Sequence, residues 1–260
     1  MLPHLRGRPV MLERWPDGID GESWYQQRPP AGTPSWIRMI RVQESEHLIL
    51  DDVDGLRWAA NLAALTLHTW SSRVTSNRPE AIALDLARPD HLVLDLDPGE
   101  APWSRVIEVA LALRRLLDAL ELPSFPKTSG KRGLHVVVPF ARGATHEEAV
   151  RFAGHLASAV AKVLPEIATV ERLIARRRGR LYVDFLQNGF GKTVAAPYTL
   201  RAIDGAPVST PLRWSEVGPR LDPRAFTLRT VRARVDQHGD LFAGAAGGGP
   251  DIRPLLLRLR

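Results

Sequence analysis

The sequence contains no cysteine. Disulfide staples, thiolate metal centres and a cysteine nucleophile are therefore excluded by inventory alone. It also lacks a long apolar run. No window approaches the roughly 18 apolar residues that span a bilayer, and the N-terminal MLPHLRGRPVMLERW has no signal-peptide core. A cytoplasmic address with no membrane partner is the expectation. Aromatic residues make up only 7% of the chain, so any local crowding of them stands out. No internal repeat is visible.

What is present is the composition of a folded protein. Hydrophobic residues are 44% and charged residues 25% of 260, enough to build one large domain or two small ones. Thirty-five Lys and Arg against 29 Asp and Glu leave a net charge of +6, a balance that favours an anionic partner without identifying it.

Hydrophobic periodicity and turn residues divide the chain in two. The first part reads as β-rich with exposed loops: a strand over Arg8–Trp15, turn chemistry in WPDGIDG, a Pro- and Gly-rich loop in RPPAGTP, and a strand over Ile37–Val42. The Ala-rich run Leu56–His68 reads as a helix. Then come a strand over Arg88–Pro98, a long helix over Trp103–Leu122, a Gly-containing turn and buried strand over Lys127–Phe140, a helix over His146–Leu164 and a strand over Arg180–Asn188. The expected class is α/β (α+β), with a mixed central sheet flanked by helices and preceded by the β-rich region. One domain is expected over residues 1–243, with GAAGGGP opening a flexible linker and a short basic tail over 244–260.

Three acids could carry chemistry. Asp95 and Asp97 in HLVLDLDP lie two apart on a strand, so both carboxylates leave one face while Leu94 and Leu96 leave the other. Like charges so placed repel, and a divalent cation with oxygen ligands would remove the penalty; a solvated strand end is the plainer reading. Asp184 sits among Val183, Phe185 and Leu186, where an unpaired carboxylate is costly, so either a metal or a nearby arginine should partner it.

Between these acids, KTSGKRGLH places Gly130 and Gly133 where backbone can approach closely. Lys127, Ser129, Lys131, Arg132 and His135 there offer donors for a phosphate chain, although the spacing is not that of a Walker loop and a plain basic hairpin reads equally well. Arg176, Arg177, Arg178 and Arg180 precede Asp184, and Lys192 and Arg201 follow it; such a charge run can also be a solvated face. Trp15, Trp24, Tyr25 and Trp36 crowd the N-terminal part beside Arg14 and Arg28. Core packing explains them simply, yet aromatic faces beside arginines also stack unpaired bases, and Trp24 and Tyr25 are the best placed.

The stretches HLRGRPVMLERWPDGIDG, LRWAANLAALTLHTWSSR, HLVLDLDP, FPKTSGKRGLHVVVP, GRLYVDFLQN and APYTLRAIDGAPVSTPL together resemble the polymerase domain of bacterial DNA ligase D, in the archaeo-eukaryotic primase superfamily, from about Leu2 to about Phe242. The resemblance implies a primase-polymerase fold and a template-dependent nucleotidyltransferase that fills gaps in DNA end joining, typically with ribonucleotides. It implies that Asp95, Asp97 and Asp184 bind two ions, Mn2+ or Mg2+, and that Ser129, Lys131, Arg132, His135 and Arg201 contact the nucleoside triphosphate, with Trp24 or Tyr25 stacking on template or nucleotide. Arg28, Arg73, Arg176, Arg177 and Arg178 would contact gapped or broken DNA, and Ku and a separate ATP-dependent DNA ligase would be partners.

The sequence departs from the family in two places: HLRGRPV is reached by residue 4, where relatives carry a lysine-bearing helix ahead of it that binds a 5′-phosphate, and WYQQR holds Gln27 where relatives carry a lysine. No ligase or nuclease motif is seen in 260 residues, so a stand-alone polymerase or one piece of a split system is expected. A non-catalytic DNA-end-binding module and a metal-dependent phosphodiesterase are the competing readings of the same acids.

Overall fold

A computed structural model describes residues 1–258. In chain order it contains α1 (Leu2–Leu5), β1 (Pro9–Arg14), β2 (Trp24–Gln26), β3 (Arg38–Val42), β4 (Ser45–Ile49), α2 (Val53–Asn61), β5 (Ala64–Thr69), α3 (Pro79–Leu86), β6 (His91–Asp97) and α4 (Trp103–Ala119). The second half contains β7 (Phe125–Thr128), β8 (Leu134–Pro139), α5 (His146–Val163), β9 (Ala168–Thr169), α6 (Ile174–Arg177), β10 (Leu181–Asp184), β11 (Val194–Ala195), α7 (Leu228–His238) and α8 (Arg253–Arg258). No helix among the described residues is long and apolar enough to cross a membrane.

Two sheets organise the fold. In the first, β11, β5, β1, β4 and β3 lie in that order, all pairs antiparallel, and β2 lies on β1 beyond the end of β4. The second runs β7-β8-β6-β10-β9 and is mixed, since β9 and β10 are parallel while the other pairs are antiparallel.

The second sheet explains why the acids are where they are. Successive side chains of a strand point to opposite faces. On β6, Leu92, Leu94 and Leu96 join Leu134, Val136 and Val138 of β8 and Leu181 and Val183 of β10 in one core with α4 and α5. The intervening residues Val93, Asp95 and Asp97 take the other face. Val93 and Val137 are covered there by Phe242 and Ala245, whereas the C-terminal half of β6 opens toward the first sheet's side of the molecule. The helix α5 begins with a reciprocal capping box between Thr145 and Glu148, which satisfies two backbone N–H groups at its start beside the sheet.

Three sequence expectations change. Leu56–His68 is a helix only to Asn61; Ala63 then takes a left-handed φ of 56°, and the alternating ALTLHT becomes β5, central to the first sheet. Arg180–Asn188 is a strand only to Asp184. Beyond it the buried Asn188 side chain takes the place of a β-partner, accepting from Val93 N at 2.7 Å and donating to Val93 O at 2.8 Å. The segment expected as flexible linker and tail, 244–260, is packed where it is described: Ala141 N donates to Pro250 O, Ile252 and Leu256 enter the main core, and a Cβ at Gly249 would collide with Pro139 O.

Candidate active site

The register of the second sheet places Lys127 opposite His135, His135 opposite Asp95, and Asp95 opposite Asp184, so four polar residues form one row across β7, β8, β6 and β10. The row lies on the face that alternation keeps out of the helix-packed core. Asp97 lies two residues further along β6, opposite Tyr182.

Burial pushes the Asp95 carboxyl up to about 7, with the charges of Asp184 and Asp97 adding to the rise and Lys127 and Arg201 opposing it. This is how an anionic centre without sufficient counter-charge behaves. Asp97 accepts from Arg177 Nη1 at 3.0 Å and from Gly99 N at 3.1 Å, and the same guanidinium lies 4.2 Å from the centroid of the Tyr182 ring. Asp184 accepts from Leu186 N at 2.8 Å, Gln187 Nε2 at 2.9 Å and Tyr182 Oη at 3.2 Å. A donor set made of carboxylate oxygens suits a hard divalent cation. As they stand, no three His, Asp or Glu side chains among the described residues are gathered closely enough to hold one. The contacts of Asp97 and Asp184 are what would be exchanged on binding.

Beside the acids an open cavity of about 310 Å³ is lined by Asp95, Asp97, Ser129, Lys131, Arg132, His135 and Arg201, together with His68 and Gln187. Its rim is the turn between β7 and β8. Ser129 N donates to Gly133 O at 2.9 Å, and Ser129 Oγ accepts from Gly133 N at 3.0 Å and Lys131 N at 3.2 Å, which folds the loop back on itself. Glycine is required twice. Gly130 has a φ of 76° and no room for a Cβ against Arg201, and Gly133 packs on the Leu96 carbonyl, drawing the turn onto the acid-bearing strand. The buried Arg201 Nε has no hydrogen-bond partner among the described residues, a property it shares with Trp15 Nε1, Arg38 Nε and Ser72 Oγ.

The chain matches the model of the LigD primase-polymerase domain over residues 1–242. It belongs to that family. The bifunctional non-homologous end joining protein LigD of Bacillus subtilis strain 168 is 34% identical over 244 residues, 93% of this chain and 38% of that protein. The multifunctional non-homologous end joining protein LigD of Mycolicibacterium smegmatis is 32% identical over 257 residues, covering 96% of this chain and 32% of that protein. The chain thus spans about a third of the length of the curated relatives it matches. Among solved structures, the polymerase domain from Mycobacterium tuberculosis Ligase D in complex with DNA superposes with a TM-score of 0.86 at 31% identity, covering 96% of this chain and 88% of that one.

Within this LigD primase-polymerase fold, the residues singled out in sequence separate into groups. Asp95, Asp97, Asp184, Ser129, Lys131, Arg132, His135 and Arg201 come together around the cavity, with Asp184 joining through its rung opposite Asp95. Trp24 and Tyr25 are on strand β2 rather than in a loop, and both are exposed, as is Trp36, so core packing does not account for these three. Tyr25 meets His68 edge-on at 5.6 Å, at the margin of the cavity, and Arg14 lies over Trp24 at 5.2 Å.

The arginines scatter. Arg177 is turned inward onto Asp97, while Arg176 and Arg178 stay exposed. Arg28 is exposed and donates to Ser45 Oγ at 3.2 Å. Arg73 is not brought to the cavity: it pairs with the buried Asp90 at 2.6 Å, where Arg8 also binds at 2.8 Å, so its charge is used inside the fold. Lys127, expected among the phosphate donors, is fully buried behind the cavity wall.

Sequence reading passed over Glu13 and His68. Glu13 is buried on β1, accepts from His68 Nε2 at 3.1 Å, and is held down at about 2 by that bond and by Arg201 against the opposing effect of burial. His68 was legible only as one position of a supposed helix; the alternation of ALTLHT was its signal.

Proposed function

We propose that this chain is a metal-dependent, template-directed nucleotidyltransferase that adds nucleotides, ribonucleotides by preference, to primer ends during DNA end joining and gap filling. The observation that carries the reading is the row of Asp95 and Asp184 with Asp97 beside it, overlooking a cavity whose other wall is Ser129, Lys131, Arg132, His135 and Arg201. An anionic centre facing a cationic wall is what a nucleoside triphosphate and its counter-ions require. The solved relative named above was captured with DNA, and the relatives' names place them in end joining, which supports the same reading.

Asp95, Asp97 and Asp184 would hold divalent ions, Mn2+ or Mg2+, whose chemistry is to activate the primer hydroxyl and offset charge on the leaving pyrophosphate. The protein's own part follows from its geometry. Lys131 and Arg132 on the rim and Arg201 in the wall bind the triphosphate; the internally bonded Ser129–Gly133 turn holds the rim side chains against the acid-bearing strand; Tyr25 and Trp24 present exposed faces on which a template base or the nucleotide stacks. Exposed Arg28, Arg176 and Arg178 meet the DNA backbone. The proposed partners are gapped or broken DNA, nucleoside triphosphates, Ku and an ATP-dependent DNA ligase, in the cytoplasm.

The test is primer extension on a gapped duplex with manganese, comparing ribonucleotides with deoxyribonucleotides and wild type with Asp97→Ala. Extension by wild type alone, with the variant folded, supports the proposal. A folded wild type that binds DNA and does not extend it would leave a DNA-end-binding module, and release of nucleotides from the primer would mark a phosphodiesterase.

A further inference from the structure

The face of the first sheet that α2 covers carries a second groove. Leu12 and Leu67 pack on that face with Leu56 and Trp58 of the helix. Strand alternation sends Glu13 and His68 the other way, to the side of the acid-lined cavity. The sheet therefore separates this groove from the acids. It is open, about 630 Å³ in volume, and lined by Trp36, Asp52, Asp54, Arg57, Trp58 and Asn61. Asp54, Arg57, Trp58 and Asn61 recur at helical spacing, so they form one stripe of α2. Trp36 joins them from the turn ahead of β3, where Ile37 N donates to Pro34 O, and is 55% exposed.

The charge here is opposite to that of the whole protein. Residues 15–62 hold eight Asp and Glu against four Arg and no Lys, in a chain of net charge +6. Among the described lining residues the one cation is Arg57, paired with Asp54 at 2.9 Å; both side chains are largely in solvent, so the pair opens at little cost. Asp52 is exposed and caps α2 by accepting from Gly55 N. The exposed Asp17, Asp20 and Glu22 follow Trp15, whose N–H donates to Ala63 O just beyond the end of the helix. A nucleic-acid strand, held through its phosphates, is repelled by such a surface. Indole faces beside carboxylates suit a cation instead: a guanidinium or ammonium stacks on the ring while the acids neutralise it.

We propose that this groove docks a lysine- and arginine-rich segment of a partner protein, with one basic side chain seated against Trp36 and Trp58 and its neighbours paired with Asp52 and Asp54. Because the sheet lies between, the partner binds without covering the cavity, and the proposal does not depend on the reaction assigned to the acids.

The probe is a capped octapeptide alternating lysine and arginine, titrated into the isotope-labelled full chain. The indole N–H signals of Trp36 and Trp58, assigned from Trp36→Phe and Trp58→Phe, should shift together, with an affinity that falls as salt rises. Trp36→Ala should weaken the peptide about three- to thirtyfold. Asp52→Asn combined with Asp54→Asn should weaken it similarly, since asparagine still caps the helix while the charge is gone. Both variants should bind a gapped duplex as wild type does. Peptide binding that both variants leave unchanged would place the peptide on other acids and overturn the proposal, as would a wild type that binds no peptide. Shifts of the same indoles produced by oligothymidine would assign the groove to single-stranded nucleic acid, and shifts produced by raising the protein concentration alone would assign it to a second copy of the chain; either result overturns the proposal.

Discussion

Arg177 donates to Asp97 Oδ2 at 3.0 Å, so this acid carries a counter-charge supplied by the chain itself. A cation bound at the acids has to compete with that guanidinium. Asp97 is nearly half exposed, but Arg177 is mostly buried, stacks on Tyr182 and donates to the Glu171 and Arg172 carbonyls. Arg177→Ala should therefore melt below wild type in chelator, and manganese should raise the melting temperature of the variant by more than that of wild type. Equal shifts in thermal unfolding would show that the arginine and the ion do not share a site.

Tyr25 offers an open aromatic face at the cavity margin, and Trp24, on the other face of β2, offers one beside Arg14. Substituting either by Ala should weaken single-stranded template binding by about 1–3 kcal/mol, while the slope of affinity against salt concentration stays as in wild type, because no phosphate contact is lost. Fluorescence titration at several salt concentrations reads both quantities. Arg28→Ala should do the reverse, lowering the slope.

Two buried carboxylates make the fold sensitive to acid. Glu13 is held at about 2 against an ordinary 4.5, and Asp90, between Arg8 and Arg73 and bonded to His91, is held well below its ordinary 3.8 despite burial. The folded form binds their protons less readily than the unfolded chain. Their stabilisation is thus complete above pH 4.5, and it is lost as the pH falls from there toward 2. Urea unfolding between pH 6 and pH 2 should show this decline, shallower in Glu13→Gln. Asp90→Asn, which leaves two arginines facing an amide, should cost about 3–5 kcal/mol at pH 7.

The long amphipathic helices and the DLD strand were legible because their periods, 3.6 and 2, are written in apolar residues. The acids and the KTSGKRGLH turn were legible because charge on a strand and glycine in a turn both need reasons. What misled was composition without periodicity. The Ala-rich Leu56–His68 concealed a strand, and with it His68; GAAGGGP looked flexible although Gly249 is there because the Pro139 carbonyl leaves no room for a side chain. Glu13, Lys127 and Arg73 could not be placed from sequence, because their roles depend on partners in other elements: His68 for Glu13, Ala195 and Ser209 for Lys127, and Asp90 for Arg73.

Asn188 is such a case with a direct test. Its amide makes three hydrogen bonds, two to Val93 and one to Phe185 O, exactly where β10 stops pairing with β6. Asn188→Ala should cost roughly 2–4 kcal/mol in chemical denaturation, through the lost bonds and the unsatisfied Val93 groups. It should also speed hydrogen exchange at Val93 N more than at Leu94 N.

The strands β6, β8 and β10 alternate core leucines and valines with the polar row, and that alternation ties two properties to a single count of residues. Inserting or deleting one residue at the start of β6 would send Asp95 and Asp97 into the hydrocarbon layer and expose Leu94 and Leu96 to the cavity in the same stroke. A change of length in this strand therefore cannot move the acids without also disturbing the core, whereas a substitution such as Asp97→Ala can alter the acids alone. Changes of length are better absorbed in the connections between elements, which carry no part of the row.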